Sequence, residues 1–247
     1  MKKRLYFITV IFISILLHST YADQLNTWGD NVHGQLGTGT VLSPVQSASS
    51  SDWSSMVAGK YYTIAIKTDG TLWAWGNNKY GQLGDGTTTE RHSPVQIGSS
   101  NNWSSVACCE NHTAAIKTDG TLWAWGNNSH GHLGDGTTID RLTPVQVGSS
   151  SDWKSVSCGY VFTLGIKTDG TLWAWGNNNS GYLGDGTTIS RHSPVQIGTS
   201  NNWALVSCGY SNSAAIKTDG TLWMWGDNDY GQLGDGTTTD RHSPIQI

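Results

Sequence analysis

The residues best suited to hold a metal are three histidines. His130-Gly131-His132 places two imidazoles two residues apart, with His112 as the nearest further candidate. From a strand such a pair can coordinate zinc, but no third ligand is fixed by the sequence and no metal site is assigned. His92, His192 and His242 recur singly, with Leu142 in the fourth equivalent place, so they are too dispersed to share an ion. Asp227-Asn228-Asp229 begins like a calcium loop, but Gly231 stands where the next ligand belongs. Asp85, Asp135, Asp185 and Asp235 each sit in Leu-Gly-Asp-Gly-Thr-Thr, where Asp and Gly shape turns. No second carboxylate lies at a fixed offset to make an acid–base pair. Asp69, Asp119, Asp169 and Asp219 have the same explanation, in Thr-Asp-Gly-Thr turns. No Ser or Cys stands in a nucleophile elbow, and no phosphate-cradling loop leads into a helix. No catalytic residue and no cofactor are assigned.

The elements that carry these residues are repeats. Trp53, Trp103, Trp153 and Trp203 recur every 50 residues, as do Ile-Lys-Thr-Asp-Gly-Thr-Leu-Trp from Ile66, Ile116, Ile166 and Ile216. No insertion interrupts the four copies, which occupy 51–100, 101–150, 151–200 and 201–247. Each reads as four short strands, placed in the second copy at Trp103–Cys108, His112–Lys117, Thr121–Gly126 and Pro144–Val147. Asp-Gly between two β-rich runs predicts a hairpin, and proline opening the last strand suits an outer edge. Spacing of apolar residues and the 31 Gly exclude a helical reading. The expectation is an all-β propeller of four-stranded blades, with a β-solenoid as the alternative. The tryptophans are read as packing between blades. Cys108, Cys158 and Cys208 share the position held by Ala58, which reads as a small packing site. Only adjacent Cys108 and Cys109 leave a pairing question open.

Residues 1–22 stand apart. Met1-Lys2-Lys3-Arg4 precedes an apolar run, Leu5 to Leu17, and small residues at Thr20 and Ala22. This predicts a cleaved secretory signal, leaving a domain at 23–247 with a partial copy at 23–50. No second stretch is apolar enough to span a membrane, so no membrane insertion is expected after cleavage. Residues 23–247 hold 11 Lys and Arg against 18 Asp and Glu. That acidic balance, together with export, argues against a nucleic-acid partner.

Val-Ser-Cys-Gly-Tyr at 206–210, the following Ala-Ala-Ile-Lys and Leu-Trp-Met-Trp-Gly at 222–226 resemble the regulator-of-chromosome-condensation repeat. So does Asn127-Asn128-Ser129-His130-Gly131-His132-Leu133-Gly134, and the resemblance covers 23–247. It implies a ring-shaped propeller, usually of seven blades. Members of that family include a secreted bacterial inhibitor that grips a β-lactamase through loop aromatics. The family's nuclear nucleotide-exchange activity fits neither the leader nor the charge. This chain holds about four and a half blades, because Trp28-Gly29-Asp30-Asn31 aligns with Trp75-Gly76-Asn77-Asn78 and has no first and second strands before it. An open or incomplete ring is expected, either truncated or covered at its ends by self-association.

Differences between copies concentrate in two loops. The first holds Lys60, Tyr61, Glu110, Asn111, Tyr160 and Tyr210; the second holds Tyr80, His130 and Tyr230, with His33 in the partial copy. In an up-and-down blade both loops leave at the same end. These residues are therefore the candidate binding set for a protein or glycan partner, set against the reading that exposed loops simply drift after duplication. The expected function is an exported binding scaffold, secreted, periplasmic or on the cell surface. Two alternatives stand beside it: a structural segment of a larger surface protein, and a metal-assisted enzyme using the same face.

Overall fold

Each full repeat turns on its Asp-Gly pair. After Lys117, Asp119 Oδ1 accepts the backbone N–H and the hydroxyl of Thr121 at 3.0 and 2.7 Å. Gly120 closes the turn at φ +79°, and a Cβ there would lie 2.1 Å from the carbonyl oxygen of Ser151 in the next repeat. Glycine thus serves both the turn and the close approach of neighbouring repeats.

The structure, a computed structural model, describes residues 26–29, 31–33, 35–36, 41–46 and 52–247. The expected leader at 1–22 lies outside them. The described residues are all-β, without helices. A two-stranded antiparallel sheet of β1 (Asn26–Gly29) and β2 (Val41–Gln46) precedes four four-stranded sheets. The first blade is β3 (Trp53–Ala58), β4 (Tyr62–Lys67), β5 (Leu72–Gly76) and β6 (Arg91–Gln96). The second is β7 (Trp103–Cys108), β8 (His112–Lys117), β9 (Leu122–Gly126) and β10 (Arg141–Gln146). The third is β11 (Trp153–Cys158), β12 (Phe162–Lys167), β13 (Leu172–Gly176) and β14 (Arg191–Gln196). The fourth is β15 (Trp203–Cys208), β16 (Asn212–Lys217), β17 (Leu222–Gly226) and β18 (Arg241–Gln246). Every blade is an antiparallel meander in chain order, as the turn chemistry implied.

One strand boundary differs from expectation. The fourth strand begins at Arg141 rather than Pro144, and its register shifts between Arg141 and Val145. Pro144 therefore sits in an irregular stretch of an outer strand, where its missing N–H costs the ladder nothing.

Blades are joined by indoles. Phe162, Leu164 and Leu172 of the third blade pack with Trp203, Ala215 and Trp225 of the fourth in one buried cluster. Each buried indole removes apolar surface worth roughly 4–6 kcal/mol, well above the roughly 1 kcal/mol of one hydrogen bond. The polar edges are satisfied across the junction. Trp125, Trp175 and Trp225 donate Nε1–H to the carbonyls of Gln82, His132 and Tyr182 at 3.0, 3.0 and 2.9 Å. Further out, the N–H groups of Gly86, Gly136 and Gly186 donate to the carbonyls of Leu142, His192 and His242 in the next blade.

First strands lie side by side, β3 by β7, β7 by β11 and β11 by β15, so they line the propeller axis and the fourth strands lie outermost. Among the described residues the ring is not closed. Leu122 and Leu172 are fully buried by the following blade, whereas Leu222 is 39% exposed. No helix among the described residues is long and apolar enough to cross a membrane.

Candidate functional site

The meander places both variable loops at one end of each blade. Their union is direct: the N–H of Asn127 donates to the carbonyl of Asn111 at 2.9 Å, and the same bond joins Asn77 to Tyr61 and Asn177 to Val161. Because first strands surround the axis, the loops after them meet those of neighbouring blades. The N–H of Lys60 donates to the carbonyl of Cys109 at 2.8 Å, and that of Tyr160 to the carbonyl of Tyr210 at 3.3 Å.

Side chains follow this backbone pairing. Lys60 forms an ion pair and hydrogen bond with Glu110 of the next blade. That hydrogen bond raises the Lys60 pKa, with the Glu110 charge adding to it against desolvation. Lys60 also lies 5.3 Å from the Tyr61 ring, and Tyr61 lies 5.0 Å from His33. Tyr160 and Tyr210 stack with centroids 4.3 Å apart and planes 11° from parallel. Desolvation of its hydroxyl raises the Tyr210 pKa, and Tyr160 and Glu110 add to this. Lys60, Tyr61, Glu110, Tyr160 and Tyr210 thus form one axial cluster, with Tyr210 61% exposed. Asn111, half-buried, is its backbone link to the second loop.

Tyr80, His130 and Tyr230 belong to the same end but lie on the outer loops. Lys79 covers Tyr80 at 5.3 Å, His130 hydrogen-bonds Ser129 at 3.0 Å, and Tyr230 is 93% exposed. Glu90 escaped sequence reasoning. It accepts from Asn77 Nδ2 at 2.8 Å and lies 2.7 Å from His33 Nδ1, tying the partial copy to the first blade. Its position is held by Asp140, Ser190 and Asp240 elsewhere, which was the available signal.

The histidines do not sit as their spacing suggested. His130 and His132 lie on the outer loop rather than on a strand; the first is exposed and the second buried, with centroids 6.3 Å apart. His132 instead meets His112 at 4.6 Å, edge to face. The grouping that does form among the described residues is Asp227, Asp229 and Asp240. Two of its carboxylates are engaged by neighbouring groups: Asp227 Oδ1 accepts from the Asp229 N–H and Gln232 Nε2, and Asp240 Oδ1 from the Asn228 N–H.

The aspartates of Leu-Gly-Asp-Gly-Thr-Thr are structural. Asp135 accepts from Asn128 Nδ2, from the N–H and hydroxyl of Thr137, and from Arg141 Nε at 2.7 Å. Burial pushes the Asp135 pKa up, but the Thr137 and Arg141 hydrogen bonds outweigh it and the net shift is downward. A carboxylate so held is a poor proton donor or acceptor. All four cysteines are free thiols, which answers the pairing question for Cys108 and Cys109. Cys158 and Cys208 are buried packing residues, while Cys108 is half-buried.

A family model described as the RCC1-like domain matches residues 13–247. No curated protein matches the chain. The crystal structure of human WBSCR16 superposes with a TM-score of 0.82 at 23% identity, over 91% of this chain and 62% of that one. The crystal structure of Prp20p from Saccharomyces cerevisiae, described with its binding to Gsp1p and histones, gives 0.78 at 22%, over 93% and 60%. Yeast RCC1 (Prp20) bound by Kap60 gives 0.75 at 20%, over 100% and 65%. The chain spans about three fifths of the length of these structures, and at such identities the likeness is one of fold.

Proposed function

Since the chain belongs to the RCC1-like domain family, we propose that it acts as an exported, non-catalytic scaffold that takes a protein or glycan partner on its axial loop cluster. The observation that carries this reading is the Tyr160–Tyr210 stack beside the Lys60–Glu110 pair. An exposed ring, Tyr210, held by its stack on half-buried Tyr160 loses little entropy on contact, which is what a recognition surface requires. The binding of Prp20p to Gsp1p and histones supports protein binding as the class. Export rests on the basic and apolar composition of residues 1–22.

The test is affinity capture from the envelope and culture fluid of the source cells, with immobilised chain beginning at Asp23. A parallel capture uses the Tyr160→Ala/Tyr210→Ala variant. A partner held by the first and released by the folded variant supports the reading. Equal capture by both places recognition elsewhere.

A second reading, self-association, is favoured by Leu222, exposed where its sister leucines are covered. Light scattering on the eluted protein decides it: a monomer at all concentrations rejects self-association.

A further inference from the structure

One position alternates through the repeats. Trp53 and Trp153 are preceded by Asp52 and Asp152, whereas Trp103 and Trp203 are preceded by Asn102 and Asn202. The alternation decides the fate of the lysine that ends each second strand. Lys67 lies 3.2 Å from Asp52 and Lys167 lies 3.1 Å from Asp152. Lys167 also donates to the Ser150 hydroxyl at 2.9 Å, whereas Lys117 and Lys217 have only that serine contact, to Ser100 at 3.3 Å and Ser200 at 3.5 Å. No carboxylate forms an ion pair with either among the described residues. Each ammonium rests over two indoles, 4.8 Å from Trp103 and 4.2 Å from Trp123, and likewise from Trp203 and Trp223.

The same two lysines face two grooves between blades. The first has a volume of about 340 Å³ and is walled by Asp85, Gln96, Ser100, Lys117, Trp123 and Thr143 over buried Trp103. The second, of about 330 Å³, repeats it with Asp185, Gln196, Ser200, Lys217, Trp223 and Ser243 over buried Trp203. Both lie between successive blades, between the lysine that ends a second strand and the Gly-Asp of the preceding blade, and no residue of the axial cluster lines them. Two carboxylates lie in the walls and two beside them, and each is bonded to groups other than the groove lysine. Asp85 and Asp185 are held by Arg91 and Arg191, and Asp119 and Asp219 are exposed and bonded to their turn threonines.

These walls specify a ligand. A lysine cation without a carboxylate calls for an anion. One half-exposed indole beside it, Trp123 or Trp223, offers flat apolar surface to a ring, and the Gln amide and Thr or Ser hydroxyls suit a hydroxyl-bearing one. Volumes of this size lie at the small end of ligand pockets, roughly 300–1,000 Å³, and suit one or two sugar rings. Two like sites a fixed two blades apart favour a ligand that repeats. We propose that the grooves at Lys117 and Lys217 bind carboxylated sugar units, so that the protein grips an acidic polysaccharide at two points. This site is independent of the axial cluster.

The sister blades supply the variants. Asn102→Asp with Asn202→Asp rebuilds the ion pairs already present at Lys67 and Lys167, so the fold is retained. Titration calorimetry on the full chain is run with a galacturonic acid hexamer, a neutral galactose hexamer and acetate. The expected result is salt-sensitive binding of the acidic hexamer, at least tenfold tighter than either control. The double Asp variant is expected to lose at least tenfold, with unchanged circular dichroism. Tyr160→Ala/Tyr210→Ala is expected to leave all of this intact, which separates the result from the axial reading. No binding of the acidic hexamer, equal binding of the neutral hexamer or acetate, or unchanged affinity in the double Asp variant overturns the proposal.

Discussion

His112 and His132 meet edge to face in the second blade, with ring centroids 4.6 Å apart and planes at 66°. Both are buried, and the Nδ1 atom of each lacks a hydrogen-bond partner. In the third blade the same two positions hold Phe162 and Tyr182, stacked at 5.4 Å. The histidine pair is thus a polar version of an apolar contact, seated beneath the loops that carry Glu110 and His130.

This pair makes stability depend on acid. Burial lowers the His112 pKa to about 3 and holds that of His132 well below the ordinary value, with the charges of His112 and His130 adding to the latter. The groups facing the pair are Tyr62, whose hydroxyl donates to the His112 carbonyl, Thr163, bonded to His112 Nε2, and exposed His130. None supplies a negative charge. Below pH about 6.5 the unfolded chain binds protons that the folded chain refuses, so stability falls between about 6.5 and 3. At pH 5 the loss is roughly 2 kcal/mol for His112 alone. Urea melts at pH 7.5 and 5 measure it. His112→Phe with His132→Tyr, the third blade's own residues, is expected to remove most of that difference.

The Leu-Gly-Asp-Gly-Thr-Thr loop gives a second prediction. Asp135 collects donors from Asn128, Thr137 and Arg141. Asp135→Ala strips them all and leaves the Arg141 guanidinium, about one third exposed, without its carboxylate. A fully buried pair broken this way costs about 3–5 kcal/mol, and partial exposure reduces this to roughly 2. Asp135→Asn keeps the Thr137 bonds and is expected to cost about half as much. Thermal melts rank the two, and equal losses would show that the charge alone matters.

The fold was legible because the repeat is nearly perfect. Trp, Asp-Gly and Leu-Gly-Asp recur in phase, and local turn chemistry then orders the strands. The start of the fourth strand was not, because Arg141 is drawn into it by an ion pair with Asp135, a contact made six residues away. Variable loop positions were likewise visible. Their pairings were not: Lys60 with Glu110 and Tyr160 with Tyr210 each join residues 50 apart in sequence. Those contacts arise from first strands lying side by side about the axis, a property of blade packing rather than of any one repeat. The burial of His132 against the exposure of His130 was hidden for the same reason, since the loop folds back on its own blade.

Indole hydrogen bonds across blade junctions are separable from indole packing. Trp175 donates to the His132 carbonyl at 3.0 Å, whereas Trp75, equally buried, has no partner for its Nε1–H. Replacement by Phe removes similar volume at both sites. Trp175→Phe should therefore cost about 1 kcal/mol more than Trp75→Phe, the net worth of one buried hydrogen bond. Equal losses in denaturant melts would assign the junction's strength to packing alone.

Thiol chemistry tests the axis itself. Burial raises the thiol pKa values of Cys108 and Cys158, that of Cys208 to about 12 and that of Cys109 to about 11, the last aided by the Glu110 charge. The thiolate is the reactive form, so at pH 8 a thiol with pKa 11 is ionised about one part in a thousand. Maleimide labelling of native protein should be slow and led by Cys109, half-buried beside Lys60 and Glu110, while all four label rapidly in denaturant. Cys109→Gly, the residue at 59, 159 and 209, should abolish the leading phase without unfolding the chain. Rapid labelling of Cys158 or Cys208 in native protein would mean that the inner strands separate, and that the axial cluster is not held on a rigid frame.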